Sequence, residues 1–318
     1  MVKDYIVFIH GVYTRGNPRT ISYADRLFQS VQKIVEGKNA SLTLIKVPLY
    51  WGDLNEAEEE KLKKAYASSP DWSKFWFRRF RETALLQFAG DAALYISPYI
   101  GAKIIARIYE QIREGLKQFQ PDDRVHLVAH SFGAIILFDM LFASRWDEPD
   151  VPGYEHVLRI REFMYGLDPE PRDGFSLASI HTLGAPIGLF SLMDVTPDEE
   201  EEKKASHNIS PRLRRLLRRI REERAGYNVS WLNFAHPADP LAHPLKPLIT
   251  EIVGRENRYV DIQDITDVGT NWLDILTSPF RHTLLALVNV GNAHGSYWYS
   301  LKVAEKIADA ILKSAETA

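Results

Sequence analysis

Apolar residues along the chain follow two alternating rhythms. Short continuous runs rich in β-branched and aromatic side chains predict buried strands. They fall at YIVFIHG (5–11), SLTLIKVPLYWG (41–52), RVHLVAHS (124–131), LASIHTLGAP (177–186), YNVSWLNFAHP (227–237) and NRYVDIQDI (257–265). The second rhythm repeats every three or four residues. Ile21, Ala24, Leu27, Phe28, Val31, Ile34 and Val35 predict an amphipathic helix over 20–36, closed by Gly37. A long apolar helix starts directly after RVHLVAHS and runs to about Ala143, and SYWYSLKVAEKIADAILKSA predicts a closing helix. Strands alternating with helices predict an α/β fold, with a mostly parallel central sheet covered on both faces. No internal repeat is present.

Two insertions interrupt that rhythm, at 53–118 and 187–226. The first is mostly helical in pattern and contains the aromatic cluster Trp72, Phe75, Trp76, Phe77 and Phe80, expected to pack as a cap. The second holds an acidic run, Glu199 to Glu202, followed by RLRRLLRRIREER. There Leu213, Leu216, Leu217 and Ile220 form one helical stripe among the arginines. Such a stripe suits a membrane-surface helix, but docking on a core needs the same spacing, so the packing reading is preferred, with the arginines paired to the acidic run. Both insertions lie where α/β enzymes carry caps over a pocket. The expected organisation is a single domain over 1–318.

Candidate chemistry starts at AHSFG (129–133). A strand that reverses into a helix within one residue forces the turn residue into a strained backbone and lifts its side chain above the sheet. Ala129 and Gly133 are small because strand and helix backbones nearly touch there. An N-cap serine opening a buried helix is the plainer alternative. As a nucleophile, Ser131 needs a base within hydrogen-bond reach and an acid to orient that base. His294, in the small-residue loop VNVGNAHGSYW before the last helix, is the candidate base. His207, His236, His243 and His282 are its rivals. Asp239, held between prolines just after a strand, is the candidate acid, with Asp261, Asp264 and Asp267 as alternatives. His236, Asp239 and His243 read as an Asp-Pro turn, not as a metal site, because no helix aligns the two histidines.

An oxyanion needs backbone donors. Phe132, directly after the serine, offers one N–H; Val12, after His10-Gly11, offers the second. A phosphate loop over Gly11 to Gly16 is excluded, because Asn17 and Pro18 follow where Lys and Ser/Thr are required.

Together the strand-HG loop, AHSFGA, TLGAP and AHGSYW resemble the α/β-hydrolase superfamily. The likeness is to lipase-like serine esterases, including uncharacterised esterase families and the catalytic domain of GPI inositol-deacylases. It covers residues 4–52, 122–190 and 227–315, and departs in Ala129 for the usual glycine and in the long segment before the elbow. It implies an α/β-hydrolase fold, Ser131 as nucleophile, His294 as base, Asp239 as orienting acid, and Val12 and Phe132 as oxyanion donors. The expected reaction is carboxylic ester hydrolysis without a cofactor, on a small-molecule or lipid ester. Alternatives are a lipase or lipid deacylase at a membrane interface, or a non-catalytic binding protein of the same fold.

Composition narrows the field further. A net charge of −3 gives no basic field for nucleic acid. The absence of cysteine removes disulfides, thiolate nucleophiles and cysteine-based zinc sites, and fits a cytoplasmic location. MVKDYIVFIHG enters a strand pattern without a signal-peptide pattern, and no run of 18 uncharged apolar residues predicts a membrane span.

Overall fold

Buried apolar strands of this kind satisfy their backbone only by pairing, and six of them do so in one all-parallel sheet. They are β1 (Lys3–Ile9), β2 (Thr43–Leu49), β3 (Arg124–His130), β4 (Ser176–Leu183), β5 (Val229–Phe234) and β6 (Val260–Ile265). Their order is β2-β1-β3-β4-β5-β6, which puts β3 at the centre, with all seven of its residues buried. The computed structural model describes residues 2–12, 14, 20–76, 78, 82, 86–165, 175–188, 207–224, 226–253, 259–269 and 290–316.

Helices cover both faces of the sheet, as the alternating pattern predicts. In chain order they are α1 (Asp25–Lys38), α2 (Glu56–Ala67), α3 (Leu86–Ile96), α4 (Pro98–Gly115), α5 (Phe132–Phe142), α6 (Tyr154–Tyr165), α7 (Ser210–Glu223), α8 (Lys246–Val253), α9 (Val290–Gly295) and α10 (Leu301–Glu316). On one face α1 and α10 bury Leu27, Val31, Val303 and Ile307 against Ile6, Phe8 and Val128. On the other, α4, α5, α6 and α7 enclose the larger core around Val7, Leu127 and Ile180. All eleven residues of α5 are buried. That explains its lack of any polar stripe, since a helix sandwiched between sheet and outer helices has no wet face.

Several boundaries differ from expectation. Helix α1 passes through Gly37 and stops at Asn39, which turns extended (φ −150°) and accepts the Ser41 N–H on its side-chain oxygen. Strands β1, β2, β4 and β5 end two or three residues early, because the chain leaves the sheet there to build loops at its carboxyl edge. The first insertion is mostly helical as expected, but its aromatics are not all packed. Trp76 is 80% exposed and Phe75 48% exposed. Phe77 and Phe80 lie outside the described residues.

In the second insertion, α7 buries Leu213, Leu216, Leu217 and Ile220, and its arginines are engaged locally. Arg212 pairs with Asp147 at 2.5 Å, Arg214 donates to the Ile252 carbonyl at 2.9 Å, and Arg219 lies 3.5 Å from Glu223. The expected partners Glu199 to Glu202 lie outside the described residues. No helix among the described residues is long and apolar enough to cross a membrane.

Candidate active site

The turn after β3 is strained. Ser131 has φ 53° and ψ −133°, and among the described residues no other non-glycine has positive φ. A side chain there is held against its own backbone preference by the surrounding packing. The small neighbours are sterically required. A Cβ on Gly133 would collide with the His10 carbonyl oxygen, and one on Gly11 with the Ser131 side chain. The HG loop after β1 is thus seated directly against the elbow.

Sheet hydrogen bonding continues past the strand ends and fixes the loops in register. The Ser131 N–H donates to Leu183 O, Gly184 N–H to Phe234 O, and Ala235 N–H to Ile265 O, each at 2.9 Å. The elbow, the turn after β4 and the loop after β5 are therefore stitched into one edge. Asp239 comes from that last loop, which is tied down at several points. Asn233 Nδ2 donates to His243 O at 2.9 Å and to Asp264 Oδ1 at 2.7 Å. Asp264 also accepts the N–H groups of Leu245 and Lys246. Leu241 N–H donates to Asp239 Oδ1 at 3.0 Å, the side-chain turn that an Asp-Pro sequence favours.

His294, at the end of α9, joins the two. Its Nε2 lies 2.8 Å from Ser131 Oγ and its Nδ1 2.9 Å from Asp239 Oδ2. These partners require the proton on Nδ1, donated to the carboxylate, and leave Nε2 to accept the serine hydroxyl. Ser131 and Asp239 are buried, while the His294 side chain is 17% exposed. Burial acts to raise the Asp239 pKa. The hydrogen bond and charge of His294, with Tyr297 and the Leu241 N–H, outweigh it and hold the carboxyl below its ordinary value.

The rivals are engaged elsewhere. His207 contacts Asp139, His236 accepts Ala238 N–H, and His243 is exposed and donates to Leu241 O. His282 lies outside the described residues. Asp267 bridges Lys302, Asp264 organises the loop as above, and Asp261 lies within β6. Val12 is half-buried on the HG loop, and Phe132 opens α5, where backbone N–H groups have no intrahelical acceptor.

Two side chains at the site, Tyr297 and His130, and a third further along α5, Asp139, went unread in the sequence. Tyr297 O–H donates to Asp239 Oδ2 at 2.7 Å and its oxygen accepts His236 N–H at 2.9 Å. Its i+3 spacing from His294 was the available signal. His130 Nε2 donates to the His294 carbonyl at 2.8 Å, and the two rings stand 4.6 Å apart. Burial, then the neighbouring His294, lowers the His130 pKa to about 3. It therefore stays neutral beside the His294 imidazole. Asp139, inside α5, accepts from Tyr95 at 2.6 Å, Arg145 at 2.6 Å and Trp146 at 3.0 Å. Tyr95 belongs to α3 and meets the Phe132 ring edge-on at 5.9 Å, so it anchors the first insertion beside the elbow.

No known family model matches the chain. It is 26% identical over 271 residues to a mitochondrial protein of Saccharomyces cerevisiae named as a probable phospholipase, covering 81% of this chain and 33% of that one. A mitochondrial protein of Schizosaccharomyces pombe with the same kind of name is 27% identical over 178 residues, covering 52% of this chain and 20% of that one. The chain spans a third or less of the length of these relatives.

Proposed function

We propose that the chain is a serine hydrolase of carboxylic esters, folded as one α/β-hydrolase domain with 53–118 and 187–226 inserted as caps. The observation that carries this reading is the single imidazole of His294, within hydrogen-bond distance of both Ser131 and Asp239 although the three come from separate segments, the turn after β3, the loop after β5 and the end of α9, a short helix where the sequence predicts a loop. In the proposed cycle Ser131 Oγ attacks the acyl carbon while His294 Nε2 takes its proton. Asp239 holds the tautomer and offsets the imidazolium charge. The tetrahedral oxyanion rests on the N–H groups of Val12 and Phe132. Collapse expels the alcohol, which receives the proton from His294. Water, activated by the same base, then attacks the acyl-enzyme, and the acid is released as Ser131 regains its proton. Every step needs only these groups.

A lipid ester is the favoured substrate class, on the names carried by the two relatives. The test is labelling with a fluorophosphonate, together with a panel of p-nitrophenyl esters of graded chain length. Wild type is expected to label and to turn over. Ser131→Ala should lose labelling and lower kcat by about 10⁴-fold or more. Equal turnover by the alanine variant overturns the proposal. A folded wild type that never labels assigns the fold to binding instead.

A further inference from the structure

The loop after β1 carries a histidine that the proposed cycle does not use. His10 is fully buried just past the end of β1, against Trp51 just past the end of β2. Its ring stacks on the Trp51 ring, with planes 9° apart and centroids at 5.1 Å, and Tyr23 and Tyr50 close on it at 5.1 and 5.0 Å. Its backbone is held as well. The Trp51 indole N–H donates to the His10 carbonyl at 3.1 Å, and α5 packs so close that a Cβ on Gly133 would lie 2.2 Å from the same oxygen.

The two ring nitrogens have different partners. Nε2 accepts the Trp51 backbone N–H at 3.2 Å. Nδ1 lies 2.6 Å from Gly11 O, and a carbonyl can only accept. Together they require a neutral imidazole with its proton on Nδ1. Gly11 O belongs to the Gly11–Val12 peptide, whose other polar group is the Val12 N–H. That unit is planar and trans, so the two groups point to opposite sides. Holding the oxygen on His10 therefore turns the Val12 N–H away from the ring. Gly11 cannot hold the peptide by itself. A Cβ there would sit 2.4 Å from Ser131 Cβ and 2.9 Å from its Oγ, so glycine is required, and glycine leaves the peptide free to turn over. Once turned, it would present a carbonyl oxygen where the cycle needs a donor.

From this geometry we propose that His10 is a positioning residue for the oxyanion: its Nδ1–H holds the Gly11 carbonyl so that the Val12 N–H stays aimed at the tetrahedral intermediate. His10 acts through that peptide and touches no reacting atom. The proposal rests on the serine hydrolase reading and deepens it.

The experiment compares two amide variants of the full chain on a dissolved p-nitrophenyl ester, with active sites counted by fluorophosphonate labelling taken to completion. His10→Asn places an amide nitrogen close to the Nδ1 position and keeps the donor to Gly11 O. His10→Gln reaches the Nε2 position instead, keeping the bond to Trp51 N–H and losing the one to Gly11 O. Each leaves one buried partner unpaired, so both should melt a few degrees lower to a similar extent. Their kcat per labelled site should differ. Gln should lose about 100-fold with KM within twofold of wild type, the scale of losing one oxyanion donor. Asn should stay within about tenfold of wild type. Affinity for a trifluoromethyl ketone, which binds the serine as a tetrahedral oxyanion, should fall by about the same factor as kcat in each variant. Equal kcat per site in the two variants overturns the proposal, whether both are fast or both slow, and assigns the ring to packing. That outcome leaves the hydrolase reading standing, provided Ser131→Ala is inactive. A wild type without turnover overturns the reading, and the proposal with it.

Discussion

Two Ser–His–Asp chains occupy this protein at opposite ends of the same sheet. Near the amino ends of the strands, Ser179 Oγ lies 2.7 Å from His126 Nδ1, and His126 Nε2 lies 2.9 Å from Asp4 Oδ1. The distances of the Ser131 cluster are 2.8 and 2.9 Å. Hydrogen-bond length therefore does not tell the two apart, but backbone, charge and access do. Ser179 sits inside β4, beside a register shift against β3, and shares its hydroxyl with His181 Nε2 at 2.8 Å, whereas Ser131 is held at positive φ above the carboxyl edge. Asp4 is gripped in a bidentate pair by Arg124 at 2.7 and 2.8 Å, so its charge is already neutralised. Burial acts to raise its pKa, and His126 and Arg124 outweigh that to keep it below the ordinary value. The side chains of Asp4 and His126 are wholly buried, while His294 reaches the surface. The inner chain is a polar brace linking β1, β3 and β4. A nucleophile needs strain, an open edge and donors for an oxyanion, and the inner chain offers none of these.

The sharpest way to break that contrast is to make the same substitution in both acids. Asp239→Asn leaves His294 with the wrong tautomer, and kcat on an acyl ester should fall by about 10⁴-fold with the fold retained. Asp4→Asn strips the counterion from a buried guanidinium and should destabilise the protein by about 3–5 kcal/mol in urea titrations. Its kcat per folded molecule should stay within about twofold of wild type. If Asp4→Asn silenced a protein that remained folded, the inner chain would belong to the chemistry.

Next in size is Ser179→Ala. It leaves His126 Nδ1 and His181 Nε2 buried with no partner, His181 Nδ1 having none already, a loss of about 1–3 kcal/mol. For a chain of this length the melting temperature should drop by several degrees, with labelling of Ser131 by a fluorophosphonate unchanged. Unaltered melting would mean that the hydroxyl does not brace the sheet.

How much of this was legible in the sequence follows from how local each signal is. Strand and helix periods are local, so all six strands and helices α1, α5 and α10 were readable, with errors of up to three residues at the strand ends and of five at the starts of α1 and α10, while α6 and α8 went unread. The elbow is local as well, because small residues either side of Ser131 answer a clash within one turn. His294 and Asp239 were singled out by their place in the order of elements, which a parallel sheet converts into proximity at one edge. The brace around Asp4 was invisible, since nothing in RVHLVAHS or LASIHTL says that His126 and Ser179 will face each other across two strands. The aromatic cluster misled for a related reason. Apolar content there suggested packing, but only the fold decides which side of α2 and the following turns meets the core.

The smallest effect tests the shell around the acid. Tyr297 donates to the same Asp239 oxygen that receives His294 Nδ1, and it is fixed in turn by His236 N–H. Its ring fills space under the turn after β4, where a Cβ on Gly184 would come within 2.9 Å of it. Tyr297→Phe keeps that volume and removes two bonds, the charge-assisted one to Asp239 and the one its oxygen accepts from His236 N–H. The carboxylate stays, but gains freedom to rotate away from the imidazole. The expected loss is about tenfold in kcat with KM unchanged, equivalent to about 1.4 kcal/mol of transition-state stabilisation. Tyr297→Ala should lose more and also lower the melting temperature, because it opens a cavity beneath the turn. A Phe variant with wild-type kcat would show that the loop bonds of Asp239 alone orient the acid. A Phe variant as inert as Asp239→Asn would make the hydroxyl indispensable to the acid's position, and the outer chain would then be a four-residue device.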